Sequence, residues 1–159
     1  MTREELISLL KEYKENKARL NIRLKELKTK RLQLKGCEEV DTTLTTAYGI
    51  NQDIHSKNKI SDKVLRKVEQ NDERRRQLQT EIEELEKKVI ELREKVEAVN
   101  DRLEALKYKE KEILTAYYIE GRTAENIGNK LYFQLYNQTR SPRRIQMIID
   151  EATEKMLKL

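Results

Sequence analysis

The sequence predicts an all-α protein: a long N-terminal helical coiled-coil hairpin over residues 1–106, then a C-terminal helix-turn-helix domain over 107–159. Three observations carry this. Charged residues make up 40% of the 159-residue chain against 36% hydrophobic and 5% aromatic, too little apolar bulk for one large globular core and enough for narrow helical stripes. Gly occurs four times and Pro once, which favours long uninterrupted helices. Five of the seven Tyr and the only Phe fall after residue 107 (Tyr108, Tyr117, Tyr118, Tyr132, Phe133, Tyr136), so a compact core is expected there.

The first helix is expected from about Thr2 to Lys35. Leu6, Leu10, Tyr13, Lys17, Leu20, Leu24, Leu27, Arg31 and Leu34 recur at alternating spacings of four and three, a heptad seam interrupted by Lys17 and Arg31. Gly36 is read as its stop. Residues 36–60 lack a period and are rich in Thr, Asn, Gly and Asp, so a connector is expected, with Val40, Leu44, Tyr48 and Ile54 available to pack back.

The second helix is expected from Ser61, as N-cap, to about Leu106. Its seam keeps the four-three alternation from Val64 to Leu106. Between Ile82 and Val96, β-branched residues hold one position and Leu78, Leu85 and Leu92 the other, a pattern that favours two strands. A parallel homodimer would oppose Glu81 to Glu86, Lys88 to Arg93 and Arg102 to Lys107, all like charges. An antiparallel pairing of the two helices is favoured instead, with Lys14, Arg23, Lys28 and Lys30 meeting Glu81, Glu83, Glu84 and Glu86. The second helix outruns the first by roughly 15 Å at 1.5 Å per residue.

In the last segment a helix is expected over Lys109–Ile119 with Ile113, Leu114 and Tyr117 inward. A turn follows at Glu120-Gly121-Arg122, then a helix capped by Thr123 that carries Ile127, Gly128 and Leu131. Gly128 marks a close approach of two helices. Ser141 as N-cap with Pro142 at the first position opens the last helix, whose inward stripe is Ile145, Ile148, Ile149, Ala152, Met156 and Leu157.

Net charge is +5, which suits a polyanionic partner. Residues 1–35 carry 11 basic and 5 acidic side chains, 36–106 carry 13 and 17, and 107–159 carry 10 and 7, so the ends are basic and the middle acidic. One Cys (Cys37) forms no internal disulfide, fitting a reducing cytoplasm, and with the single His (His55) makes no metal set. No signal peptide or membrane span is expected. There is no phosphate-cradling glycine loop, nucleophile–His pair or Cys/His cluster, so neither enzyme activity nor a cofactor is expected.

Run Tyr117-Tyr118-Ile119-Glu120-Gly121-Arg122-Thr123-Ala124-Glu125-Asn126-Ile127-Gly128-Asn129-Lys130-Leu131 resembles region four of the primary-type bacterial sigma factors, where an acidic helix is followed by Glu-Gly, a capping Ser/Thr and Glu-Ile-Ala. Ser141, Ile145, Ile148, Ala152 and Met156 match the family's last helix. The match covers about a third of the chain. The layout is similar to small phage-borne regulators of Gram-positive bacteria, the ArpU/RinA type. The resemblance implies a phage or prophage transcriptional regulator. The chain departs from the family at Tyr132–Arg140, which intervene between the last two helices. The second is expected to run on through Leu135 or Tyr136, with a longer turn over Asn137-Gln138-Thr139 that offers a wing to the DNA backbone.

On this reading the last helix, about 141–158, enters a major groove. Arg143, Arg144 and Gln146 are the candidates for base edges, Thr139, Arg140 and Ser141 for phosphate, and Arg122 and Lys130 for the groove flanks. The expected partner is double-stranded DNA, bound by a homo-oligomer because one such domain reads few base pairs, with RNA polymerase as a further candidate. Two other readings stand beside it: the DNA-recognition subunit of a phage packaging terminase, and a helical scaffold that binds RNA polymerase and no DNA. The bland alternatives are a solvated helix start for Arg143 and Arg144, core packing for the tyrosines, a solvated face for Arg74-Arg75-Arg76 with Arg75 in the seam, an exposed loop for His55 and an inert thiol at Cys37.

Overall fold

The structure is a computed structural model; it describes the backbone of residues 1–49 and 62–158 and the side chains of 1–37 and 66–158. Every element among the described residues is helical. Two long helices, α1 (Arg3–Gly49) and α2 (Asp62–Glu104), precede α3 (Tyr108–Leu114), α4 (Ala124–Asn126), α5 (Tyr132–Tyr136) and α6 (Pro142–Leu157). A π-helical turn at Thr115–Ile119 prolongs α3, and another at Ile127–Leu131 joins α4 to α5. No helix among the described residues is long and apolar enough to cross a membrane.

Gly36 does not stop the first helix. Helix α1 runs on to Gly49, so most of the connector expected over 36–60 is helical. A glycine stop requires the left-handed conformation, and among the described glycines only Gly121 has positive φ. Inside a helix Gly36 costs only about 1 kcal/mol relative to alanine, a penalty that a long helix absorbs. The expected cap at Ser61, the apolar residues Val40, Leu44, Tyr48 and Ile54, and His55 lie outside the described residues or side chains. At its start α1 carries a reciprocal cap: Glu5 N–H donates to Thr2 Oγ1 (3.2 Å) and Thr2 N–H to Glu5 Oε2 (2.8 Å).

The chain forms two compact units, Met1–Leu20 with Glu91–Leu159, and Asn21–Ile90. In the second unit α1 and α2 lie antiparallel, with Leu27, Cys37, Leu78, Ile82 and Val89 buried. Lys30 pairs with Glu81 and Arg31 with Glu86, both at 2.6 Å, and Asn71 Nδ2 donates to the Cys37 carbonyl at 3.2 Å. Arg31 therefore sits on the flank of the seam rather than in it, and Arg23 pairs within its own helix with Glu26. These exposed pairs are worth little individually, about 0–1 kcal/mol, and act mainly on register.

In the first unit one core joins the beginning of α1, the end of α2 and the C-terminal helices. Leu6, Leu10, Val99, Leu103, Ile113, Leu114, Ile127, Ile145, Ile149 and Met156 are all at most 5% exposed. Lys17, expected in the α1 seam, is exposed, and Asn16 is buried in its stead. Tyr13 Oη donates to Asn100 Oδ1 at 2.6 Å. The expected stripe of α6 is found, with Ile148 and Leu157 half-buried at its margins and Thr153 added to it, its hydroxyl donating to the Ile149 carbonyl at 2.7 Å.

The aromatic core is smaller than expected. Tyr132 is buried and Tyr117 and Tyr118 half-buried, but Phe133, Tyr136 and Tyr108 are exposed. Successive residues on a helix point about 100° apart, so α5 can turn Tyr132 inward only by turning Phe133 out.

Candidate nucleic-acid interface

Four local signals build the site. Gly121, at φ +70°, ends the helical run from Tyr108 to Ile119, and the Arg122 N–H returns to the Ala116 carbonyl at 2.9 Å. Thr123 Oγ1 then accepts from the Asn126 N–H (3.2 Å), capping the run that continues through α4, the π-turn and α5. That run ends at Asn137, in the left-handed region at φ 53°, where asparagine is among the most tolerant side chains. Ser141 Oγ accepts from the Arg144 N–H at 3.4 Å and Pro142 takes the first helical position of α6.

Gly128 fixes the approach of the segment before α6. Its carbonyl accepts from the Arg140 N–H at 3.1 Å, and a Cβ at Gly128 would lie 2.2 Å from the Arg140 carbonyl oxygen and 3.3 Å from Ile145 Cγ1. The close approach expected at Gly128 exists, and its main partner is the backbone just before α6.

Helix α6 is strongly two-faced. Ile145, Ile149, Ala152 and Met156 are fully buried, while Arg143, Arg144 and Met147 stand exposed on its first turns. Its C-terminal half is acidic on the outside, with Asp150, Glu151 and Glu154. Arg3 pairs with Asp150 at 2.5 Å and approaches Glu154 at 4.0 Å. The exposed arginines and the exposed Met147 thus lie in the N-terminal half of the helix, while Lys155 in the C-terminal half is paired with Glu110.

Of the sequence-predicted residues, Arg140 and Arg144 come together at one cavity of about 230 Å3, lined also by Lys109, Glu110, Tyr132, Ile148 and Glu151. Lys109 Nζ donates to Tyr132 Oη at 2.6 Å and lies 4.7 Å from the Tyr132 ring centre and 5.3 Å from that of Tyr136. The Arg140 guanidinium lies 5.4 Å over the Tyr132 ring, and its Nη2 donates to Gln138 Oε1 at 3.3 Å. Glu110 is engaged by Lys155. Arg143, Thr139 and Lys130 are exposed elsewhere, and Gln146 is half-buried on the flank of α6. Ser141 uses one lone pair in its cap and keeps its O–H to donate. Arg122 pairs with Glu120 at 2.7 Å and lines a separate depression with Lys11, Tyr117 and Tyr118. The sequence reading missed Lys109, Tyr132, Met147 and Lys11. Only Met147 was accessible to it, as an apolar residue one turn after Arg143.

Two phenols titrate abnormally. The hydrogen bond from Lys109, seconded by Arg140, holds Tyr132 below the ordinary value of 10.0, and burial pushes Tyr118 above it, partly offset by a hydrogen bond with Thr153. A phenol whose pKa is lowered on folding adds stability as pH rises through the folded value and adds none below it; a raised one costs stability above the unfolded value. In a spectrophotometric titration Tyr132 is expected to ionise below the ordinary phenol value and Tyr118 above it. Tyr132→Phe should remove the earliest part of the curve; an unchanged early part would contradict the Lys109 contact.

Compared with protein-family models, curated proteins and solved structures, the chain matches none.

Proposed function

We propose that the protein is a sequence-specific DNA-binding transcription regulator, with the C-terminal segment acting as a helix-turn-helix and the first turns of α6 entering the major groove. The observation that carries this reading is the polarity of α6: a fully buried apolar face opposite an exposed Arg143, Arg144 and Met147, confined to the half of the helix that begins at the Ser141–Pro142 cap. Arginine reads guanine through paired donors, and an exposed methionine one turn after the arginines suits the methyl group of thymine. The acidic outer surface from Asp150 to Glu154 repels phosphate, so only the start of the helix can lie deep in the groove. Resemblance to sigma region four in phage-borne regulators gives the same direction. The antiparallel pairing of α1 and α2 supports a coiled-coil hairpin, and a second copy of the chain would supply the additional half-site that one domain needs.

The test is in vitro selection on random duplex DNA at about 150 mM salt, for the full chain and for Arg143→Ala/Arg144→Ala. An enriched motif that the double variant loses is the expected result. Each good bidentate contact is worth about 1–3 kcal/mol of discrimination, so the double variant should fall to nonspecific affinity. A two-fold symmetric motif would report a dimer. If wild type enriches nothing and binds duplex without salt dependence, the reading passes to a protein-binding helical scaffold.

A further inference from the structure

We propose that the cavity beside α6 is a seat for one backbone phosphate of the bound duplex, formed by Lys109 and Arg140, with the base-reading Arg144 at its rim and Tyr132 as a positioning residue. The inference rests on the DNA-binding reading and adds to it a contact that fixes where α6 sits. It also gives a role to the segment 132–140, the part of the chain that departs from the sigma pattern.

The geometry points to a phosphate in four ways. Three cations come from three separate places in the chain, on α3, before α6 and in its first turn, and line one recess. Convergence from distant sequence positions is what a point ligand requires; a solvated helix face would draw its charges from one helix. The ammonium of Lys109 is already oriented, held by the Tyr132 hydroxyl at 2.6 Å and by two aromatic rings. Holding a long side chain in advance removes much of the rotamer entropy that binding would cost. Tyr132 is 4% exposed, so it forms a fixed wall. Finally, about 230 Å3 is several times the roughly 30 Å3 share of a water molecule, enough for a phosphate group with its ester oxygens.

Two carboxylates also line the recess. Glu110 is paired with Lys155, which leaves Glu151 as the unfavourable neighbour of an incoming anion. That charge gives the seat a distinctive signature: removing Glu151 should strengthen DNA binding, while removing Lys109 should weaken it. Neither change touches a base-reading residue, so sequence preference should stay the same in both.

The experiment measures the salt dependence of affinity between about 50 and 200 mM, by fluorescence anisotropy, on a selected duplex and on a mixed-sequence duplex. Lys109→Gln should lower the slope of log K against log salt by about 0.9 and weaken both duplexes alike. Lys109→Arg should keep the slope. Tyr132→Phe should keep the slope and lose affinity, because the charge remains and only its positioning is gone. Glu151→Gln, an exposed change without folding risk, should tighten both duplexes severalfold. A methylphosphonate scan should find one backbone position whose neutralisation weakens wild type more than it weakens Lys109→Gln.

If Lys109→Gln and Glu151→Gln both leave slope and affinity unchanged while Arg143→Ala/Arg144→Ala loses the motif, the seat is wrong and the DNA-binding reading stands. If Lys109→Gln does not fold, Glu151→Gln alone decides. A wild type that binds no duplex in a salt-dependent way overturns both the seat and the function beneath it.

Discussion

Gly128→Ala is expected to destabilise the first unit by about 1–3 kcal/mol, and Gly36→Ala to stabilise the protein by about 0.5–1 kcal/mol. Both glycines lie within helical runs, and on propensity alone both substitutions should help. The difference is what a methyl group would meet. At Gly36 there is nothing within 4 Å. At Gly128 the new carbon would sit 2.2 Å from the Arg140 carbonyl oxygen, a backbone atom that no rotamer change can move. The segment before α6 must then swing away, stretching the hydrogen bond from Arg140 N–H to the Gly128 carbonyl and loosening Ile145. Overpacking costs about 1–3 kcal/mol and the lost bond about 0.5–1.5 kcal/mol, against a gain of about 1 kcal/mol in helix propensity. Urea unfolding of both variants checks the opposed signs. A Gly128→Ala protein as stable as wild type would mean that Arg140 does not approach this closely. Since Arg140 also lines the recess beside α6, the same substitution should reduce DNA affinity even where the protein stays folded.

The contrast between those two glycines shows what can be read from sequence. Thr123, Ser141 and Pro142 were legible because a cap is a contact between residues three apart, and the same holds for Ile145, Ile149 and Met156, whose spacing states a face. Gly36 was misleading because a glycine is a stop only when the chain takes the left-handed turn, and the sequence on either side does not force it. Phe133 was misplaced because hydrophobicity does not say which of two adjacent aromatic residues a short helix turns inward. Lys109 and Tyr132 were invisible as a pair: 23 residues separate them, and nothing in their neighbourhoods marks either as a partner of the other. Arg31 was read as a break in a seam because a strict heptad was laid on it, whereas its ion pair with Glu86 places it on the flank.

The second large effect concerns the start of the chain. Leu10→Ala is expected to cost about 2–5 kcal/mol, a large share of the roughly 5–15 kcal/mol that holds a typical domain folded. Leu6 and Leu10 are 0% exposed and share their core with α6, where Ile145, Ile149 and Met156 are equally buried. Reading the heptads alone would assign those leucines to the pairing of two long helices and would leave residues 107–159 as an independent domain. Packing makes the opposite prediction. A fragment of 107–159 loses Leu6, Leu10, Val99, Leu103 and Leu106 from its core, and chains of this size bury barely enough surface to fold even with an intact one. The isolated fragment should therefore show weak amide dispersion and no cooperative melting, and it should fail to select the motif although it retains Arg143 and Arg144. Full-length Leu10→Ala should melt early and, at low temperature where it is still folded, select the same motif as wild type. A fragment that folds and binds like the full chain would show that the leucines of α1 cover the C-terminal helices without being needed to build them. The expected outcome instead makes the long helices part of the same folding unit as the proposed DNA-reading helix, because the buried face of α6 can be satisfied only when the first turns of α1 lie in the same core.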